Sequence, residues 1–388
     1  MQVYLIVKQT FFIYIITKIL FKKYTKCLIC RLLTTEKPSK QTLLLIYLLQ
    51  LKNDDKRLKI MYNTLNENVY KVEENAMAIV RTEAYFNSSN GINKIRTLIW
   101  KDDELTPRGV FQIAHGMAEH IGRYDEFAKY IASNGFVVCG NDHLGHGKSV
   151  NDVSELGFIA EKNGDKRLVD DMHILTKIMK KKYPDLPYFL FGHSMGSFCA
   201  RVYTAHFGDE LNGAVFCGTG ELPAVAAALQ EPINKLCEKL GPHTKYEIMG
   251  SAMNAFFNVM VPDKTSPLSW ISANADNIEA YKDDPLCGFT FTLGGYRDLF
   301  AIANDASRKE WASEVPLDLP ILIISGALDP VGLNGKGVMA VSDNLVLAGK
   351  EPTVVLYPGD RHEILMESDK DVVYHDVLAW LDSQYVAK

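Results

Sequence analysis

Between Met1 and Ile60 the chain has no glycine and no alanine, and its first glycine is Gly91. The same segment lacks an apolar run of membrane length. Lys8 and Lys18 divide its opening stretch, and "LLLIYLLQL" (Leu43–Leu51) has nine residues, where a span needs about 20. It also lacks the basic start and the Ala-x-Ala cleavage site of a signal peptide. Ile, Leu, Lys, Tyr, Phe and Thr dominate instead. Two readings stay open for residues 1–60. One is a stretch foreign to the native protein, with the composition of translated A/T-rich DNA and a start at Met61 or Met77. The other is a basic extension that adheres to surfaces.

Net positive charge is missing from the rest. Residues 1–60 hold 12 Lys and Arg against 3 Asp and Glu, whereas the remainder holds 30 against 44, a net −14. A body so acidic excludes nucleic acid as a partner, because phosphate binding needs a basic face. A cysteine framework is missing too. The seven cysteines are odd in number and mostly sit in apolar contexts, where thiols behave as small hydrophobes. Cys27-x-x-Cys30 has no second Cys/His pair at finger spacing. A reducing cytoplasm fits this better than a secreted, cross-linked fold.

What is present is ordinary globular composition, 47% hydrophobic and 23% charged, in an ordered pattern. "VRTEAYFNSSNGINKIRTLIWKDD" reads as two strands around an Asn90-Gly91 turn. Strands and helices then alternate. Buried-strand runs are "GVFQIAHG" (109–116), "FVVCGNDH" (136–143), "PYFLFGHS" (187–194), "LNGAVFCGTG" (211–220), "LPILIISGALD" (319–329) and "TVVLYPGD" (353–360). Helical spacing marks 123–135, 164–184, 195–208 and 371–385. A hairpin followed by βα units predicts an α/β fold with a mostly parallel, doubly wound sheet. Residues 221–305 carry no clear strand and read as a helical lid inserted into the core of 78–220 and 306–388.

Gly192-x-Ser194-x-Gly196 alone is a weak signal. Its setting is stronger, since a strand runs in and a helix leaves, as a nucleophile elbow requires. Serine needs a base and a carboxylate to orient that base. In the elbow topology these follow as Asp/Glu and then His, each after a late strand. Asp329 and His362 fall there. Asp360 and Glu363 flank His362 but end no separate strand, so Asp329 is preferred. The His193 ring is expected to point away from the site. Oxyanion donors are assigned to the Met195 N–H, next to the nucleophile, and to the Met117 N–H in the loop after an early strand.

Together "HGMAEH", "NDHLGHGKS", "GHSMGS", "SGALDPVG", "GDRHEIL" and the lid segment "DDPLCGFTF…GYRDLF" resemble the monoacylglycerol lipase and lysophospholipase group of the α/β-hydrolases, over about residues 78–385. The resemblance implies Ser194 as nucleophile, Asp329 and His362 as its partners, and Met117 and Met195 as oxyanion donors. It implies a serine esterase acting on a monoacylglycerol or lysophospholipid without metal or cofactor, the other readings being a general esterase or thioesterase and a silent ligand-binding scaffold. In this setting "NDHLGHGKS" is a structural loop, not a metal site. The lid is rich in Leu, Ala, Phe and Met, which suits an acyl chain and transient contact with a membrane surface. For Glu119 and Arg123 two readings stand: an ion-paired network holding the 115–120 loop, or contact with the substrate head group.

Overall fold

The computed structural model describes residues 79–386. The readings for residues 1–60, including Cys27 and Cys30, lie outside them. Eight strands form one sheet: β1 (Ile79–Asn87), β2 (Lys94–Asp102), β3 (Gly109–Ala114), β4 (Phe136–Asn141), β5 (Tyr188–His193), β6 (Gly213–Cys217), β7 (Ile321–Gly326) and β8 (Thr353–Tyr357). Their order is β1-β2-β4-β3-β5-β6-β7-β8. β1 and β2 pair antiparallel, as do β2 and β4, and the remaining pairs are parallel. This is the α/β-hydrolase fold.

The period-two pattern of the strands places side chains alternately on two faces. On β5, Tyr188 and Leu190 face one apolar cluster and Phe189 and Phe191 the other. The first cluster is closed by α2 (Gly164–Lys182) and α3 (Met195–Phe207), the second by α1 (Asp125–Ala132), whose Phe127, Ala128 and Ile131 are buried. Lys180, Lys181 and Lys182 end α2, where the helix dipole favours positive charge.

The 221–305 insertion follows β6. It holds α4 (Ala224–Ala227), α5 (Gln230–Leu240), α6 (Glu247–Val259), α7 (Ala275–Asp283) and α8 (Leu293–Ala306). In α8, Ile302 and Ala303 join the cluster under α3, while Leu299, Phe300 and Ala303 also line the space beside Ser194. α9 (Trp311–Glu314), α10 (Lys336–Leu347) and α11 (Lys370–Val386) complete the chain. α10 is a helix the sequence reading passed over. Its Val338, Val341 and Leu345 face the core at helical spacing.

The hairpin turn differs from expectation. The link from β1 to β2 runs over residues 88–93, longer than the two residues Asn-Gly ordinarily makes. Gly91 does take a positive φ of 72°. Asn90 Oδ1 accepts the N–H groups of Ile92 and Asn93, and Ser88 and Ser89 bond Asp171 on α2. Those side-chain bonds hold the wider loop.

β3 pairs with β4 on one side and β5 on the other. The chain therefore reverses its direction of winding there. Such a switch point leaves a crevice beyond the carboxyl ends of the strands. The loop after β3 carries His115, Gly116 and Met117, and β5 runs directly into Ser194.

Candidate active site

β5 ends at His193 and α3 starts at Met195, which leaves Ser194 alone on the turn. Its backbone adopts φ 52° and ψ −121°, a region that costs a non-glycine residue about 1–3 kcal/mol. The Ser194 N–H donates to Cys217 O at 3.0 Å, and Ser194 O accepts from Ser197 and Phe198 in α3. The turn is thus held on both sides. A Cβ on Gly192 would lie 2.2 Å from Gly196 O, so the first and last positions of Gly-x-Ser-x-Gly admit only glycine.

The structure brings the three residues predicted at separate strand ends into one chain. Ser194 Oγ lies 2.8 Å from His362 Nε2, and His362 Nδ1 lies 3.0 Å from each Asp329 carboxylate oxygen. Asp329 also accepts the Val331 N–H and the Ser325 hydroxyl, each at 2.9 Å. Asp329 is 0% exposed and His362 3%. Burial by itself lowers the pKa of His362, but the Asp329 carboxylate outweighs it, and the net direction is upward. Burial likewise works against ionising Asp329, yet His362 and the Ser325 hydroxyl bring its pKa below the ordinary range. Asp360 and Glu363 do not take this place.

Met117 and Met195 line a cavity of about 650 Å³ together with Ser194 and His362. Most of its wall is apolar, from Phe198, Leu222, Met253, Phe257, Phe289 and Leu299 among others. The loop carrying Met117 lies against the elbow, for a Cβ on Gly116 would stand 3.1 Å from Ser194 Cβ. Ala118 in this loop has a positive φ of 53°, and its carbonyl accepts from Gly288 N–H and Tyr281 OH in the insertion.

Glu119 and Arg123 are committed to a network. Glu119 Oε1 accepts the Gly116 N–H and the Tyr124 hydroxyl, and its Oε2 accepts from Arg123. Arg123 is bidentate to Glu363, which also accepts from Asn277. Burial opposes the charge on Glu363, but Arg123 overrides it and takes the pKa down to about 2. These contacts are compatible with the loop-holding reading, and Glu119 also lines the cavity.

His193 corrects an expectation. Its ring does not turn away from the site; it lies 4.7 Å from the His362 ring and lines the cavity. Alternation along β5 explains it. His193 falls on the same face as Phe189 and Phe191, and the His362 loop closes that face. Burial, then His362, push its pKa down to about 3.

"NDHLGHGKS" is built as a structural loop. Asp142 accepts from Ile121 N–H, Lys148 N–H and Arg96. His143 and His146 of this loop are buried together with His115, with ring centroids 4.3 to 6.2 Å apart. Among the described residues, one trio of potential metal ligands is grouped, His120, Asp284 and Cys287. Both ring nitrogens of His120 are in use, Nε2 toward Asp284 at 2.8 Å and Nδ1 as acceptor of the Gly122 N–H, so this geometry serves as a tie between two loops.

Residues 106–369 match the family Hydrolase_4, described as serine aminopeptidase S33. The chain belongs to that family. The chain is similar to the monoacylglycerol lipase of Mycolicibacterium smegmatis, 28% identical over 78% of this chain and 98% of that protein. The human monoglyceride lipase is 26% identical over 72% of this chain and 84% of its own length. The crystal structure of a thermostable carboxyl esterase from Bacillus coagulans, in complex with glycerol, superposes with a TM-score of 0.73 at 35% identity, covering 78% of this chain and 98% of that one. The chain is therefore a serine hydrolase of the α/β-hydrolase fold.

Proposed function

We propose that the chain hydrolyses the ester bond of a monoacylglycerol through an acyl-enzyme on Ser194. The observation that carries this is the hydrogen-bonded chain Ser194–His362–Asp329 opening onto a large apolar cavity. Ser194 Oγ bonds the ester carbon while its proton passes to His362 Nε2, and the carbonyl π electrons move onto oxygen. The Met117 and Met195 N–H groups receive that oxyanion. Asp329 holds the imidazole in the tautomer with Nδ1–H and stabilises the imidazolium. The carbonyl re-forms, the glycerol oxygen leaves with the proton from His362, and water repeats the sequence on the acyl-enzyme.

The acyl chain suits the apolar wall, and 650 Å³ is ample for a lipid-sized ligand. The charged residues lining the cavity are Glu119, Glu221, Glu247 and Glu363, with no lysine or arginine. That favours the uncharged glyceryl ester over a lysophospholipid, whose phosphate would find no lysine or arginine on the lining. The relatives named monoacylglycerol and monoglyceride lipase support the same substrate class. No helix among the described residues is long and apolar enough to cross a membrane. α6 nevertheless exposes Ile248 (71%), Phe256 (54%) and Val259 (70%), Phe256 at the cavity wall, and we read it as a lid helix that meets a lipid surface. Flotation with neutral phospholipid vesicles should fall when these three become serine; unchanged flotation would remove that surface.

The deciding experiment pairs a fluorophosphonate probe with monooleoylglycerol. Ser194 should be the labelled residue, and Ser194→Ala should lose both labelling and glycerol release with its fold intact. Retained turnover in Ser194→Ala would refute the assignment. Faster hydrolysis of lysophosphatidylcholine than of monooleoylglycerol would refute the substrate class.

A further inference from the structure

The ring over His362 comes from the insertion. The Trp270 indole lies 5.2 Å from the His362 ring, centroid to centroid, at an interplanar angle of 39°. It is fixed there by the residues on either side of the histidine. Arg361 Nη1–H donates to Ser269 O at 2.5 Å, and Glu363 N–H donates to Ile271 O at 2.8 Å. The two neighbours of Trp270 are thus bonded by the two neighbours of His362. Glu367 reinforces the seam by accepting the N–H groups of Ala273 and Asn274.

The far side of the same indole is tied to the lid helix. Trp270 Nε1–H donates to Asn254 Oδ1 on α6 at 3.0 Å, and the Phe257 ring of α6 packs 4.9 Å away. Phe257 and Trp270 both line the cavity. One side chain therefore touches the base, the lid helix and the space for the acyl chain.

At pH values above its acid limb, His362 becomes charged in turnover when it takes the serine proton. An aromatic face within about 6 Å attracts a cation, more strongly when water is excluded. Such an attraction acts on the transition state and not on the resting neutral ring, so it raises kcat. The other groups facing this imidazole are Asp329 beyond β7, Glu363 on its own loop, Glu119 in the loop after β3 and His193 at the end of β5. None of them belongs to the insertion. We propose that Trp270 is a positioning residue that stabilises the imidazolium form of His362 while α6 is closed over the cavity, the Asn254 hydrogen bond coupling the two. This rests on the Ser194–His362–Asp329 reading above.

The test compares Trp270→Phe, Trp270→Leu and Asn254→Ala, each checked by circular dichroism and by fluorophosphonate labelling of Ser194. Rates with monooleoylglycerol are followed from about pH 5 to about pH 9. Leucine keeps apolar cover and removes the π face. Trp270→Leu should lower kcat on the order of threefold to thirtyfold and move the acid limb of kcat/KM downward by about half a pH unit. Trp270→Phe should keep most of the wild-type rate. Asn254→Ala should lose part of it in the same direction, with no further loss when combined with Trp270→Leu. An acid limb that stays in place, a Phe variant as poor as the Leu variant, or additive losses would each overturn the inference. If Trp270→Leu does not fold, a wild-type acid limb in Asn254→Ala overturns it as well. With Ser194 still labelled, these failures leave the hydrolase reading standing; absence of labelling in the wild type removes that reading and this inference with it.

Discussion

Gly196 faces the carbonyl of Ala114 so closely that a Cβ on it would stand 2.2 Å from that oxygen, and 2.5 Å from the carbonyl oxygen of His115. The second glycine of the elbow therefore sets more than the turn. It lets α3 rest on the end of β3, which brings Ser194 beside the Met117 loop.

Helix propensity alone would make Gly196→Ala stabilising by about 0.5–1 kcal/mol. The contact with backbone oxygens reverses the sign, because overpacking costs about 1–3 kcal/mol and the backbone has nowhere to yield. Thermal denaturation should show a lower midpoint, and ester hydrolysis should fall with it. An equal or higher midpoint would contradict the packing argument.

Asp329→Asn should reduce kcat by on the order of 10⁴-fold with little change in KM, as an amide favours the wrong tautomer of the base. The pH profile carries a separate signature. Asp329 is what raises the His362 pKa against the effect of burial, and the base must be unprotonated to act. The wild-type acid limb of kcat/KM should thus lie above the ordinary histidine value of about 6.5. In Asp329→Asn it should move down, since burial remains and the carboxylate is gone. A limb that moves up would contradict this.

Glu119→Gln discriminates the two readings of the Glu119–Arg123 pair. Its carboxylate holds the Gly116 N–H, Tyr124 and Arg123, and a hydrogen bond to a charged group contributes about 1.5–3 kcal/mol. If that network positions the Met117 loop, kcat should fall on the order of tenfold to a hundredfold for glyceryl and p-nitrophenyl esters alike. A rise in KM confined to glyceryl esters would restore direct head-group contact.

Acid should weaken the fold through the buried histidines. Burial, then His146, push the His143 pKa down to about 3, and burial takes His146 down to about 4. The unfolded chain titrates both near 6.5, so below that pH it binds protons that the folded chain refuses. Stability should fall as pH drops from about 6.5 toward 4, by several kcal/mol in order of magnitude. Neither His143 ring nitrogen has a partner among the described residues. His143→Phe should therefore flatten the dependence of the urea midpoint on pH; an unchanged slope would place the acid sensitivity elsewhere.

Local chemistry was enough to pick out the three residues that the structure joins by hydrogen bonds, Ser194, His362 and Asp329. Gly192, Ser194 and Gly196 lie within one turn, and their spacing is dictated by the sterics of a strand meeting a helix. Asp329 and His362 were readable because the topology fixes which strand ends can reach that turn. The insertion's helical character followed from its period and its lack of strands. The limits are equally specific. Asn90-Gly91 marked a turn, but the side-chain bonds of Ser88 and Asn90, and that of Asp171 to the Ser89 N–H, decided its length. The apolar period of α8 did not record that one face meets both the core under α3 and the cavity.

Sequence by itself determined the elbow, the order of the strands that carry its partners, and the apolar character of the segment above it, since each is a matter of residues near one another or of a repeating period. Tertiary structure alone decided that Arg123 spends its charge on Glu363, 240 residues away, that His193 turns toward His362, and that Trp270 stands over the same ring. Those contacts join loops from different strand ends, and no local pattern records them. They exist because the sheet brings its carboxyl ends together and the insertion folds back over them.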